Sequence, residues 1–208
     1  MKQTILIPTH EGHEEWLHNC IHSIRVATQD KLKYALTIVG NGSDVPAVDV
    51  PWDWELTTLK NPENWFEYGA VIPVMERTKY DEVFLLHDTC EIKNAYLFDL
   101  IFEKYPGISV ALTRNFQMHM GKFLRSVLEK VDIPRAKDAW VDADVEESFP
   151  PKYIVAADWR YVTLFPGFAS VGDWPPEREE KFGRLNMVLE NEFLKKYKSK
   201  WSRNMIRT

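Results

Sequence analysis

Between residues 3 and 115 the chain alternates β-prone apolar runs with segments of helical period, and this alternation limits its fold more than any other feature. The runs are "QTILIPTH", "YALTIVG", "WELTTLKN", "DEVFLLHDT" and "GISVALTRN". Among them lie "HEEWLHNCIHSIRVA", "NWFEYGAVIPVMERTKY" and "NAYLFDLIFEKYP". In the first of these, Trp16, Leu17, Cys20, Ile21 and Ile24 fall on one helical face. The second carries Pro73, which implies a kink or a late start. Strands separated by helices pair in parallel through right-handed crossovers, so the expectation is an α/β sheet flanked by helices. Ligands of such sheets bind beyond the carboxyl ends of the strands. The post-strand segments "PTHEGH", "GNGSD", "NPEN" and "HDT" are therefore predicted to gather along one edge.

Beyond residue 115 the pattern loosens. "MHMGKFLRSVLEKVDIP" reads as a short strand or turn at Gly121 followed by a helix with Leu124, Val127, Leu128 and Val131. "KYIVAADWRYVTLFPGF" offers one or two more strands. "PPEREEKFGRLNMVLENEFLKKYKSKW" reads as a long terminal helix, with prolines ahead of it and acids in its first turn. A chain of 208 residues has room for one substantial domain burying roughly 70% of its unfolded surface. With no repeat or low-complexity linker, residues 1–208 are expected to form a single domain.

No stretch approaches the roughly 20 apolar residues of a membrane span, and no secretory signal fits the start. Cys20 and Cys90 lack metal-type spacing and read as free thiols. A cytoplasmic location is the expectation. Residues 195–208 hold four lysines, two arginines and no acid, although the whole chain carries a net charge of −5. Such a tail either complements a helix end or touches phosphates.

Two motifs bear on chemistry. In "GNGSD", Gly40 and Gly42 permit close backbone approach and Asp44 can accept hydrogen bonds from a base or sugar, or cap a turn. In "HDT", residues 87–89, a carboxylate ends a buried strand, which is costly unless it is paired or hydrogen-bonded. Asp88 either caps the next helix or holds a cationic ligand. His10 and His87 follow the first and fourth strands and are expected near each other. His18 and His22, one helical turn apart, read as a surface pair because no further ligand is evident near them. The acidic "DAWVDADVEE" is a solvated loop or the source of a general base. Most of the eight tryptophans are expected in the core.

In order, "ILIPTHEG", "TIVGNGSD", "LKNPENWFEYGAV" and "VFLLHDT" resemble the nucleotide-sugar-binding half of GT-A-fold (family 2-like) glycosyltransferases. There the first strand ends in a Pro-Thr-type segment, the second in an acidic Gly-Ser-Asp turn, and the fourth in a metal-binding Asp-x-Asp. The resemblance covers about residues 3–90 and implies a Rossmann-like, mostly parallel sheet. It implies a donor half at 1–114 and an acceptor-side half at 115–208. Pro8, Thr9, His10 and Glu11 would border the nucleotide and Asp44 would contact base or ribose. Asn64, Tyr68 and Gly69 would lie under the donor. Asp88, beside His87, would reach a Mn²⁺ or Mg²⁺ ion and through it the diphosphate. Asp142 or Asp144 would deprotonate the acceptor hydroxyl. The implied donor is a UDP-sugar first of all, and the acceptor a glycan, a lipid-linked glycan or a nucleic acid base.

The chain departs from the family pattern in two places. Counting from Asp88, the second acidic position is Cys90 forward and Leu86 backward, so one acidic ligand remains. The acidic segment also lacks a clean Glu-Asp pair. Lys195, Lys196, Lys198 and Lys200 could instead neutralise a diphosphate if the terminal helix folded back over the cleft. Two other readings share these residues. One is a Mg²⁺-dependent nucleotidyltransferase, though "PTHEGHEE" is not its glycine-rich basic loop. The other is a degenerate domain that binds a nucleotide or sugar without catalysis.

Overall fold

A computed structural model describes residues 1–62, 69–113, 120–130, 161–165 and 186–198. The front half follows the alternation. Strand β1 (Gln3–Thr9) leads into helix α1 (Glu14–Thr28), then β2 (Ala35–Asn41), β3 (Leu56–Asn61) and helix α2 (Val71–Arg77). Strand β4 (Glu82–Leu85) is followed by the short β5 (Cys90–Ile92), helix α3 (Tyr96–Phe102) and β6 (Ser109–Thr113). Strand β7 (Gly121–Leu124), helix α4 (Arg125–Leu128), β8 (Tyr161–Phe165), β9 (Asn186–Glu190) and β10 (Leu194–Lys198) complete the described elements. Pro73 lies in the first turn of α2, where its missing N–H has no helical partner to lose.

Seven strands form one sheet in the order β3-β2-β1-β4-β7-β6-β8. Strand β1 pairs in parallel with β2 on one side and β4 on the other. Among the described strands of this sheet, only β7 runs against its neighbours, β4 and β6. Alternate side chains of the central strands feed two cores. Ile5, Ile7 and Phe84 pack with Leu17, Ile21 and Ile24 of α1 and with Phe98 and Phe102 of α3. Leu6, Val83 and Leu85 pack on the other face with Val71 and Val74 of α2 and Val127 and Leu128 of α4. Burial on both faces explains why β1 and β4 read as unbroken apolar runs. The expected single-domain α/β sandwich is the observed one.

The terminal helix expected through residue 201 is not found where that stretch is described. Residues 186–190 and 194–198 are strands, joined in a three-stranded antiparallel sheet of order β5-β10-β9. The reason is local and tertiary together. The Asn191 side-chain oxygen accepts from the N–H groups of Phe193 and Leu194, which closes a tight turn. The edge of β5 then supplies ladder partners, Lys196 opposite Cys90 and Lys195 opposite Glu91. With period two, Leu194 and Lys196 point inward.

Where the sheet reverses direction at β7 it buries an ion pair. Lys122 Nζ lies 3.0 Å from Glu82 Oε1, with both side chains fully buried. Glu82 also accepts from Gln3 Nε2 and from the Gly107 N–H, and Lys122 donates to the Tyr105 carbonyl. Burial pulls the Lys122 ammonium below its ordinary range, and Glu82 opposes that pull. Removing one partner strands a buried charge. Lys122→Met is expected to lower unfolding free energy by about 3–5 kcal/mol, and Glu82→Leu with Lys122→Met to regain part of it. Urea denaturation of the three proteins measures this.

Candidate functional site at the carboxyl edge

Because β1, β2, β3 and β4 are parallel, their carboxyl ends share an edge. Thr9 closes β1 opposite Gly40, and Asn41 closes β2 opposite Asn61. Leu86 N still donates to Leu6 O beyond the last paired residue of β4, so the chain enters "HDT" alongside the end of β1. The segments bearing Thr9, Asp44 and Asp88 follow β1, β2 and β4 at that edge. Asn64, Tyr68, Asp142 and Asp144 lie outside the described residues, and Gly69 is buried just before α2.

Asp88 does not cap a helix. It occupies the turn between β4 and β5, and its Oδ2 accepts from His13 Nδ1 at 2.9 Å. Both residues are nearly closed to solvent, His13 at 4% and Asp88 at 6% exposure. His13 is the N-cap of α1, held by an N–H bond to the His10 carbonyl. Its ring packs against that of His10, with centroids 3.7 Å apart and the planes tilted by 39°, and His10 Nδ1 donates to the Glu11 carbonyl. With Nδ1–H committed to the carboxylate, the tautomer of a neutral His13 is fixed and its Nε2 is left as the free polar atom. That Nε2 is buried with no hydrogen-bond partner among the described residues, and so is Thr9 Oγ1. Buried polar atoms are normally satisfied, so two orphans on one edge make it a candidate ligand site.

Sequence reasoning passed over His13. Its partner is 75 residues away, and nothing in the spacing of six histidines separates it from the others. His18 and His22 are exposed, with His18 bonded to the Ala47 carbonyl, as a surface pair should be.

On the β2 side, Asp44 projects into solvent with a side chain 88% exposed, held by Lys60 at 2.8 Å. The "GNGSD" turn that presents it folds tightly over β2. A Cβ at Gly40 would stand 2.3 Å from the Ser43 carbonyl oxygen, and Gly42 has φ +73. Glu11 is exposed and Pro8 is buried at the end of β1.

Among the described residues no three His, Cys, Asp or Glu side chains gather as a metal cage. Asp88 Oδ1, however, makes no hydrogen bond among those residues. One carboxylate fits a Mg²⁺-type ion held chiefly by substrate phosphates and water, and does not suffice for an ion held by protein alone.

Lys196 reaches the same edge from β10. Its Nζ donates to Thr89 Oγ1 at 2.7 Å, and the residue is 5% exposed. Nearby, Cys20 and Cys90 are free and buried. Burial pushes both thiols up, Cys90 to about 11. The thiolate of Cys90 is then about one part in a thousand at pH 8 and grows only as pH climbs toward 11. Native protein at pH 8 is expected to resist a colorimetric disulfide reagent, and protein in guanidinium to titrate two thiols.

No family model matches the sequence, and no curated protein matches it. Solved structures do match. Galactosyltransferase LgtC, in complex with donor and acceptor sugar analogs, aligns at 8% identity and TM-score 0.51 over 77% of this chain and 72% of LgtC. Glycosyltransferase GlyE of Streptococcus pneumoniae aligns at 8% identity and TM-score 0.52 over 79% of this chain and 45% of GlyE. S. aureus TarS aligns at 11% identity and TM-score 0.44 over 64% of this chain. The chain spans only 30% of TarS, or 48% of its 1–349 fragment. At such identities the likeness concerns backbone architecture. The mostly parallel sheet with helices on both faces is a GT-A-like fold, shared in backbone with LgtC and GlyE.

Proposed function

We propose that this chain transfers a sugar from a nucleoside diphosphate sugar to an acceptor hydroxyl. The observation that carries the proposal is the pair of orphaned buried atoms, Thr9 Oγ1 and His13 Nε2, beside the His13–Asp88 bond at the carboxyl edge of a GT-A sheet. Residues 1–114 form the donor side in this reading and 115–208 largely the acceptor side. Pro8, Thr9, His10 and Glu11 border the nucleotide, and Asp44 accepts from base or ribose. Asn64, Tyr68 and Gly69 lie under the donor, with His87 flanking it. Asp88, oriented by His13, faces the diphosphate. A Mn²⁺ or Mg²⁺ ion held there by Asp88 and the phosphate oxygens would neutralise the leaving group.

In the reaction the sugar C1–O bond to the diphosphate breaks and the electron pair leaves with the nucleoside diphosphate. A bond from the acceptor oxygen to C1 forms, and the acceptor proton passes to Asp142 or Asp144. A UDP-sugar is the first donor to test, and a glycan, lipid-linked glycan or nucleic acid base are the acceptors. One observation favours a second reading, a binding module without turnover: Asp88 is the single carboxylate seen at the β4 end.

Both readings meet in one assay. Protein incubated with UDP- and GDP-sugars and Mn²⁺ is expected to release nucleoside diphosphate, and EDTA to suppress the release. Asp88→Asn keeps an acceptor for His13 but loses the charge, and is expected to slow release about 100-fold. An Asp88→Asn protein as fast as the parent removes Asp88 from the chemistry. Tight nucleotide binding with no release from any donor leaves the binding module standing.

A further inference from the structure

A buried ammonium normally has an acid beside it, because moving a charge out of water is repaid only by pairing and hydrogen bonding. Lys196 is the exception here. Among the described residues its Nζ has one hydrogen-bond partner, the neutral Thr89 hydroxyl, and no carboxylate within 4 Å. Lys195, its neighbour on the outer face, has the ordinary arrangement and pairs with Glu190 at 3.5 Å. An ammonium carries three donors, so two on Lys196 have no partner among the described residues.

The position is fixed rather than incidental. Lys196 lies opposite Cys90 in the β5–β10 ladder, and the Tyr197 N–H donates to the Thr89 carbonyl. Both ends of the Thr89 residue are thereby clamped to β10. Thr89 follows Asp88, Asp88 bonds His13, and His13 packs against His10, the residue after Thr9. One connected run of contacts thus joins the uncompensated cation to both orphaned polar atoms.

We infer that Lys196 is an anion-binding residue, whose ammonium takes the charge of a diphosphate at the β4–β5 turn where a second metal-binding acid is missing. The identity of the ligand rests on the nucleotide-sugar reading above. The direct protein cation adds a property that reading lacks: diphosphate binding that survives removal of divalent ions. A charge kept buried without an acid is a cost to the fold that a bound anion removes.

The test uses inorganic pyrophosphate and the full chain in EDTA, followed by titration calorimetry and thermal melting. The parent is expected to bind pyrophosphate. Lys196→Met is expected to bind at least tenfold more weakly while melting no lower than the parent, since it replaces an unpaired charge with an apolar side chain. Lys195→Met is expected to bind within twofold of the parent. Lys196→Gln, which keeps a hydrogen bond to Thr89, is expected to fold and to lose binding like Lys196→Met, and it decides the matter should the methionine variant misfold. Pyrophosphate binding that is absent in the parent, or undiminished in both Lys196 variants, overturns the inference. A parent that binds pyrophosphate through Lys196 but neither UDP nor GDP sinks the nucleotide reading and leaves the anion site in place.

Discussion

Parallel pairing of β1 with both β2 and β4 is the constraint on which the rest of this molecule depends. Parallel strands start at one edge of a sheet and finish at the other, so their loops have no choice of side. Thr9, the "GNGSD" turn and "HDT" are brought together by that alone. The direction change at β7 falls on the far side of β4, where the buried Glu82–Lys122 pair lies near the opposite end of the strand. Structural charge and candidate functional charge are thereby kept at opposite ends of one strand.

The two ends treat charge differently. Glu82 accepts from three groups and its cation is close by, so this ion pair is satisfied in itself. At the carboxyl end, Asp88 is answered by one histidine nitrogen, while His13 Nε2 and Thr9 Oγ1 have no partners among the described residues. Among those residues Lys196 has only a hydroxyl. Polar groups left unsatisfied inside a fold cost stability, and such costs concentrate where a ligand completes the site. The contrast between the ends of β4 is the physical basis for placing function at one of them.

The small sheet β5-β10-β9 makes that arrangement possible. The region around Lys196 reads as the end of a long helix because prolines and then acids ahead of it mark a helix start. What decides against a helix is the Asn191 turn together with an open β5 edge about 100 residues earlier in the chain. Neither the pairing nor the inward turn of Lys196 is visible locally. The notion that this lysine-rich stretch approaches a diphosphate came from charge alone. The structure gives it a different element and singles out one lysine.

The sequence by itself determined the α/β class, the alternation of strand and helix from β1 to β6 apart from the short β5, and the edge at which candidate residues collect. Those features follow from periodicity and from the two-faced burial of parallel strands, which leave their mark residue by residue. Tertiary structure alone decided that Asp88 is answered by His13, that Asp44 is held outward by Lys60, and that the chain's basic end returns as a strand carrying Lys196 to Thr89. Each of these is a contact between residues whose own surroundings in the chain say nothing of the partner. Local pattern records which face a side chain buries, whereas charge pairing across the fold is set by where the backbone delivers two groups.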